Sequence, residues 1–441
     1  MNLELELLAP VGDWETLMSA IKAGADSVYF GIKWINMRAS SARNFEITEL
    51  KLLMKKLHEN NLKGYLTLNT VIYDHELERV KKILDEAKEA KVDAVIAADM
   101  AIIQLCNERC IEVHISTQLS VANYESVKFW SKFSPRIVLA RECTLNQIKN
   151  MRDNIKKEKL NFNGREIELE TFVHGSLCVA YSGRCFMSQY HNRLSANRGQ
   201  CLQECRRQYK IIDLEDPRRE FILDGNYMMS PKDLCALPIL DKLIDAGINI
   251  FKIEGRAKGP EYVYLVTKVY REAIELIKKD KFIEKEKLRL VNELDKVFNR
   301  GFTDNFYLGI PTNDSWTKFY GSCAKEKKVR LGRVVNYYAK QNVAAVLIEQ
   351  NELKKEDTVC FIGPTTGYYK TTVIELKTEN ENVSVGKMGD VVSFKVNEIV
   401  RLSDEVYLVQ RRDVNLEEEE LNQRLEKIGI HRPFKQTKKI D

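Results

Sequence analysis

No run of about eighteen uninterrupted apolar residues occurs in the 441-residue sequence, which leaves no transmembrane helix to expect. No secretory leader is expected either. The opening stretch MNLELELLAPVGDWETL has acidic residues where a leader needs basic ones before an apolar core, so the expected location is the cytoplasm and no membrane partner is expected. Nor is there a large charge of one sign: 69 Lys and Arg against 64 Asp and Glu leave +5. Any contact with a polyanion must then be a local patch. No G-x-G-x-x-G follows the first apolar run, which argues against a dinucleotide phosphate loop. H-E-x-x-H and G-x-S-x-G are both absent, which removes the zincin and serine-hydrolase signatures.

What the sequence does contain is an alternation of β-branched runs with amphipathic helical stretches. The runs are LELLAP (5–10), SVYFGI (27–32), KGYLTLN (63–69), DAVIAAD (93–99), EVHISTQ (112–118), RIVLARE (136–142), ELETFVHG (168–175) and NIFKIEGR (249–256). Helical segments such as WETLMSAIKAG and ELERVKKILDEAKEA fall between them. Eight strands with helical crossovers predict an α/β fold, a (β/α)8 TIM-like barrel over residues 1–300, with an open doubly wound sheet as the competitor. A cysteine-rich insertion at about 176–245 interrupts the last crossover and ends in a hairpin-like pair, YKIIDLEDPRREFILDG. The Gly-, Asn-, Asp- and Ser-rich stretch 301–324 reads as a linker. Short strand runs over 325–412 predict a small all-β barrel, and 413–441 a tail with a short acidic helix and a basic end.

Ten cysteines in a reducing compartment point to metal binding or catalysis rather than disulfides. Cys178, Cys185, Cys201 and Cys205 crowd one loop, and Cys235 follows in PKDLCALPIL. The spacing is irregular, and only Cys201/Cys205 could form a zinc knuckle. An iron–sulfur cluster, zinc, a redox pair and buried structural thiols therefore all stay open, and a nucleophile would need only one thiol beside a base such as His174. Cys106 and Cys110 stand at an i, i+4 helical spacing in a context typical of the core. Cys143, Cys323 and Cys360 are isolated. For RNA, the basic runs 206–210, 325–330 and 410–412 lie near Tyr209, Tyr337 and Tyr338, so phosphate contacts beside stacking rings are expected there.

The stretch ETFVHGSLCVAYSGRCFMS (170–188) resembles the signature E-x-F-x2-G-[SA]-aliphatic-C-x4-G-x-C-x-aliphatic-S of the collagenase-like peptidase family (the U-thirty-two group). LLAPVGDWETL, STQLSVANYE, VLARECTL, RGQCLQECR, SPKDLCALP and FKIEGRAKGPEYV extend the resemblance. It is strongest toward the branch of tRNA hydroxylation protein P. That branch implies an iron–sulfur RNA-modifying enzyme, hydroxylating tRNA wobble uridine to 5-hydroxyuridine without oxygen, with prephenate as the small-molecule donor. It also implies a [4Fe–4S] cluster on Cys178, Cys185, Cys201 and Cys235, with Cys205 as a substitute ligand. Because members sometimes act in pairs, a related partner chain or a homo-oligomer is a further expectation.

In a barrel the site lies at the C-terminal strand ends, where this sequence places Asn69, Asp99, Gln118, Arg141, Glu142, His174, Lys252, Glu254 and Arg256. Of these, Arg141, Glu142, His174, Lys252, Glu254 and Arg256 are the expected catalytic set. Arg141 and Arg256 are expected to hold the carboxylates of the donor. The plainer readings are ion pairs Arg141–Glu142 and Glu254–Arg256 at the rim, and core or rim positions for His114 and His174. The alternatives to RNA hydroxylation are a cysteine- or metal-dependent peptidase and a non-catalytic RNA-binding or assembly factor.

Overall fold

The computed structural model describes residues 5–181, 183–207, 210–216, 220–222, 229–317, 319, 321–379, 381–417, 419 and 423. All eight apolar runs form strands. They are β1 Glu6–Pro10, β2 Ser27–Phe30, β3 Lys63–Leu68, β4 Ala94–Ala97, β5 Val113–Ile115, β6 Arg136–Val138, β7 Glu168–Gly175 and β9 Ile250–Ile253, with β8 Asp233–Cys235 inserted before the last. The parallel order is β9-β1-β2-β3-β4-β5-β6-β7, and β9 also pairs with β7, so the sheet closes into an eight-stranded barrel. Closure explains the composition of the runs. A parallel strand in a barrel is covered on both faces, so a continuous apolar run suits it better than an alternating one. Most strands end before their runs do, and the polar residues at the run ends form the loops at the mouth.

Helices α1 Trp14–Lys22, α2 Leu50–Glu59, α3 Leu77–Glu89, α4 Met100–Glu108, α5 Tyr124–Trp130 and α6 Leu145–Lys157 follow strands β1 to β6. In α3, Val80, Ile83, Leu84 and Ala87 are buried, one apolar stripe facing the sheet. The insertion contributes α7 Met187–Asn192 and the expected hairpin, Lys210–Ile212 against Glu220–Ile222. Then come α8 Leu240–Asp245, α9 Pro260–Lys278 and α10 Glu284–Leu294. β8 runs antiparallel to β7, with Cys235 opposite His174, and carries β10 Phe302–Thr303 on its other edge. The stretch 301–324 is thus stitched to the barrel sheet through β10 and a Pro231–Trp316 bridge. Among the described residues no helix is long and apolar enough to cross a membrane.

The six C-terminal runs form β11 Glu326–Tyr338, β12 Val343–Ile348, β13 Thr358–Gly363, β14 Gly367–Thr372, β15 Val391–Lys395 and β16 Glu405–Arg411. They lie in one antiparallel sheet, β14-β13-β16-β11-β12-β15, extended by two short strands and wrapped over its own core of Leu331, Val346, Phe361, Val392 and Phe394. Beyond residue 417 the expected acidic tail lies outside the described residues, apart from 419 and 423.

Candidate active site at the barrel mouth

The strand ends open onto a cavity of about 470 Å³. Its wall carries four cations, Arg38, Arg141, Lys252 and Arg256, and a single carboxylate, Glu254. The expected rim pairs do not form among the described residues. Glu254 instead accepts from Arg38 Nη2 at 2.8 Å and from the Ser176 amide at 3.3 Å. Burial alone would raise the Glu254 carboxyl, but Arg38, Arg141 and Lys258 hold it down at about 2. Arg38 comes from the loop after β2, where sequence reasoning named no candidate.

With Glu254 engaged by Arg38, the other two arginines form no salt bridge among the described residues. Arg141 donates from Nη1 to the Ser176 carbonyl at 2.8 Å and lies 4.2 Å from the Phe172 ring centre, while its buried Nε has no partner. Among the described residues Arg256 donates only to Thr67 Oγ1, at 2.7 Å, and burial lowers its pKa to about 10. Two guanidinium groups facing one cavity with spare donors suit a ligand with two carboxylates.

Lys252 belongs to the cavity floor. Its Nζ donates to Glu170 Oε1 at 2.6 Å, and burial lowers its pKa. Below it, Arg136 bridges Glu6 (2.7 Å) and Glu168 (2.8 Å) and reaches Glu170 at 3.9 Å. Glu170, the first residue of the signature, is therefore a buried counter-ion.

His174 and Glu142 are not brought into the cavity wall. His174 packs among Tyr262, Tyr270 and Phe302, with Nδ1 3.4 Å from the Tyr270 hydroxyl. Burial keeps the ring neutral and pushes its pKa down to about 3. An unfolded chain takes up this proton near pH 6.5, whereas the fold resists it until about pH 3, so stability falls as the pH drops through that window. Glu254, depressed from 4.5 to about 2, adds its own loss only below 4.5. Between pH 6.5 and 4.5, His174→Gln should remove roughly 2–3 kcal/mol of acid destabilisation, leaving the share of His114, which burial also lowers. Thermal unfolding across that range checks this, and an unchanged slope would refute it. Among the other polar run ends, Asp99 caps α4 by accepting from the Ala101 amide at 2.9 Å.

The insertion brings four thiols near one another. Burial raises the Cys205 thiol, Arg206 lowers it, and Cys178, Cys201 and Cys185 raise it again, an influence that requires proximity. Cys201 acts on Arg38, raising it, which brings that one thiol near the Arg38 side of the cavity, whose lining itself contains no cysteine among the described residues. Cys235 stands apart. It is buried in β8 with the Leu237 backbone and Tyr270 as its neighbours, and burial pushes its thiol up to about 12. Among the described residues, no three His, Cys, Asp or Glu side chains converge tightly enough to hold a single metal ion. Cys106 is buried in α4, but Cys110 lies beyond the helix end at φ +55° and is exposed, so the two do not share a helix face.

The basic runs expected to meet RNA are mostly neutralised internally. Arg206 points inward, donating to the Leu177 and Pro231 carbonyls and to Ser230 Oγ. Lys325, Lys327 and Lys328 pair with Asp295, Glu417 and Glu261, Arg330 with Glu405 and Glu349, and Arg412 with Glu417. The side chains of Tyr209 and Lys210 lie outside the described residues.

Residues 12–317 match the profile of Peptidase family U32. A "Collagenase" of Porphyromonas gingivalis is 42% identical, covering 93% of this chain and 99% of that protein. A "tRNA hydroxylation protein P1" of Bacillus subtilis is 34% identical, covering 86% and 88%. A "23S rRNA 5-hydroxycytidine C2501 synthase" of Escherichia coli is 35% identical, covering 68% of this chain and 45% of that longer protein.

Proposed function

Because the chain belongs to peptidase family U32, we propose that it is an iron–sulfur RNA-modifying enzyme that hydroxylates wobble uridine of tRNA to 5-hydroxyuridine with a prephenate-derived donor. Supporting this reading, relatives with RNA-hydroxylation names match most of the chain. The observation that carries it is the pair of guanidinium groups, Arg141 and Arg256, that form no salt bridge among the described residues, in a cavity whose Arg38 lies near Cys201 of the thiol loop. A dicarboxylate fits those two forks, and Lys252 on the floor adds a third positive charge.

The donor set also suits a [4Fe–4S] cluster, which takes one thiolate per iron and so needs neighbouring thiols rather than ligands converging on one ion. Cys178, Cys185, Cys201 and Cys205 would hold it, with the Arg206 guanidinium beside Cys205 opposing the burial that raises that thiol. When bound, it would supply one-electron chemistry at the cavity edge. The chain's own residues do the rest: Arg141 and Arg256 orient the acid, and Lys252 holds a proton against Glu170.

Protein purified without oxygen should be brown and hold about four irons per chain. Cys205→Ala should lose that iron while Cys235→Ala keeps it, and the reverse would return the fourth ligand to Cys235. Nucleosides of a deletion strain should lack 5-hydroxyuridine in tRNA. Colourless, iron-free protein, or unaltered nucleosides, would refute the reading. The peptidase names among the relatives define the second reading, for which a thiol mechanism predicts that Cys178→Ser abolishes peptide hydrolysis.

A further inference from the structure

Beside the donor cavity lies a second one of about 510 Å³. The two share Met37, Asn69 and Gln118, and the second runs on beneath the cysteine insertion to Gly183, Arg184 and Asn197. We propose that this second cavity is the slot for the target base. A uridine turned out of its stack enters it, its edge is read by the Asn69 and Gln118 carboxamides, and the flanking nucleotides lie against Trp34 and Tyr73. The proposal rests on the RNA-modifying reading above and adds where the base is held.

The carboxamides have capacity to spare. Asn69 accepts from the Met37 amide through Oδ1 at 3.3 Å, and its NH2 group has no hydrogen-bond partner among the described residues. The Gln118 side chain makes no hydrogen bond among the described residues. A carboxamide presents a donor and an acceptor in one plane, which matches the N3–H and carbonyl edge of uracil. The slot is also built to close tightly. Gly183 has φ +73°, and a Cβ there would stand 2.0 Å from Gln118 Oε1, so only glycine lets the insertion lie on that amide. Asn197 Oδ1 accepts from the Cys185 amide at 3.0 Å, which ties the slot wall to the thiol loop.

The loops that supply Met37 and Val71 to the slot also carry exposed aromatic rings with cations. Trp34 is 64% exposed and held at φ +111°, a backbone region that a bulky residue occupies only under strain. The Arg79 guanidinium lies 4.0 Å from its ring centre. Tyr73, 51% exposed, stacks on His75, and Arg198 lies 4.4 Å from its ring centre. Arg198 also donates to the carbonyl of Val71, which lines the slot, at 3.1 Å. Arg79 and Arg184 have no carboxylate partner among the described residues and remain available to phosphates. A slot that touches both the donor cavity and the thiol loop, with exposed rings on the loops that line it, matches single-stranded RNA entering by one splayed base.

The test uses the full chain and an anticodon stem-loop with 4-thiouridine at the wobble position. Irradiation should cross-link the thiobase to peptides containing Met37, Asn69–Tyr73 or Gln118. Trp34→Ala and Tyr73→Ala should each weaken binding of the stem-loop roughly five- to a hundredfold, while Arg330→Ala, on an already paired side chain, leaves it unchanged. Cross-links confined to the C-terminal sheet, or unweakened binding by both ring variants, overturn the slot. If tRNA from the deletion strain still lacks 5-hydroxyuridine in that case, the proposed function stands and only the slot is lost. Unaltered nucleosides would remove both.

Discussion

Replacing Glu170 with alanine should destabilise the protein by about 3–5 kcal/mol, the usual loss when one partner of a buried ion pair is removed. Glu170 is fully buried and is the anion closest to Lys252 Nζ, at 2.6 Å. Arg136, 3.9 Å from its other oxygen, keeps its bonds to Glu6 and Glu168. The cost therefore falls on Lys252, left charged and buried without an anion. A lysine can escape by releasing its proton, so the loss should shrink as the pH rises. Thermal unfolding of the full chain should show a fall of roughly 6–20 °C. The double variant Glu170→Ala, Lys252→Met should recover much of it, because no charge is then stranded. A single variant as stable as the parent would show that the pair carries no such strain.

Arg256→Met should act in two opposite directions at once. Affinity for a dicarboxylic acid such as prephenate should fall roughly 10- to 150-fold, the equivalent of a charge-assisted bond worth about 1.5–3 kcal/mol. Stability should rise or hold steady, because Arg256 is buried, only Thr67 Oγ1 accepts from it among the described residues, and the nearby Glu254 carboxylate offsets its lost hydration only in part. Arg141→Met should lose affinity comparably, since among the described residues its guanidinium donates only to the Ser176 carbonyl and otherwise lies over the Phe172 ring. Calorimetric titration read beside thermal unfolding separates this from a purely structural role, in which affinity and stability would fall together. Unchanged affinity in both variants would remove the carboxylate assignment.

The barrel was legible because period and composition are local properties. A continuous β-branched run such as DAVIAAD satisfies a strand covered on both faces wherever the chain ends up. The helix stripe of Val80, Ile83, Leu84 and Ala87 is equally local. Pairing between distant residues was not legible. Arg141–Glu142 and Glu254–Arg256 are neighbours in the chain and look like ion pairs, yet Glu254 is taken by Arg38, which arrives from a loop more than two hundred positions away. The basic run 325–330 reads as a phosphate patch, but its carboxylate partners come from α9, α10, β16 and residues beyond the sheet.

The cysteines divide along the same line. Sequence alone determined that the thiols between 178 and 205 are clustered and that the signature Glu170-x-Phe172 leads into them, because both are matters of spacing along one segment. Only the tertiary structure decided that Cys205 sits with Cys178, Cys185 and Cys201 while Cys235 faces Tyr270. The physical reason is strand pairing. β8 is locked antiparallel to β7 with Cys235 opposite His174, and that register turns its thiol toward the buried aromatic side of the wall.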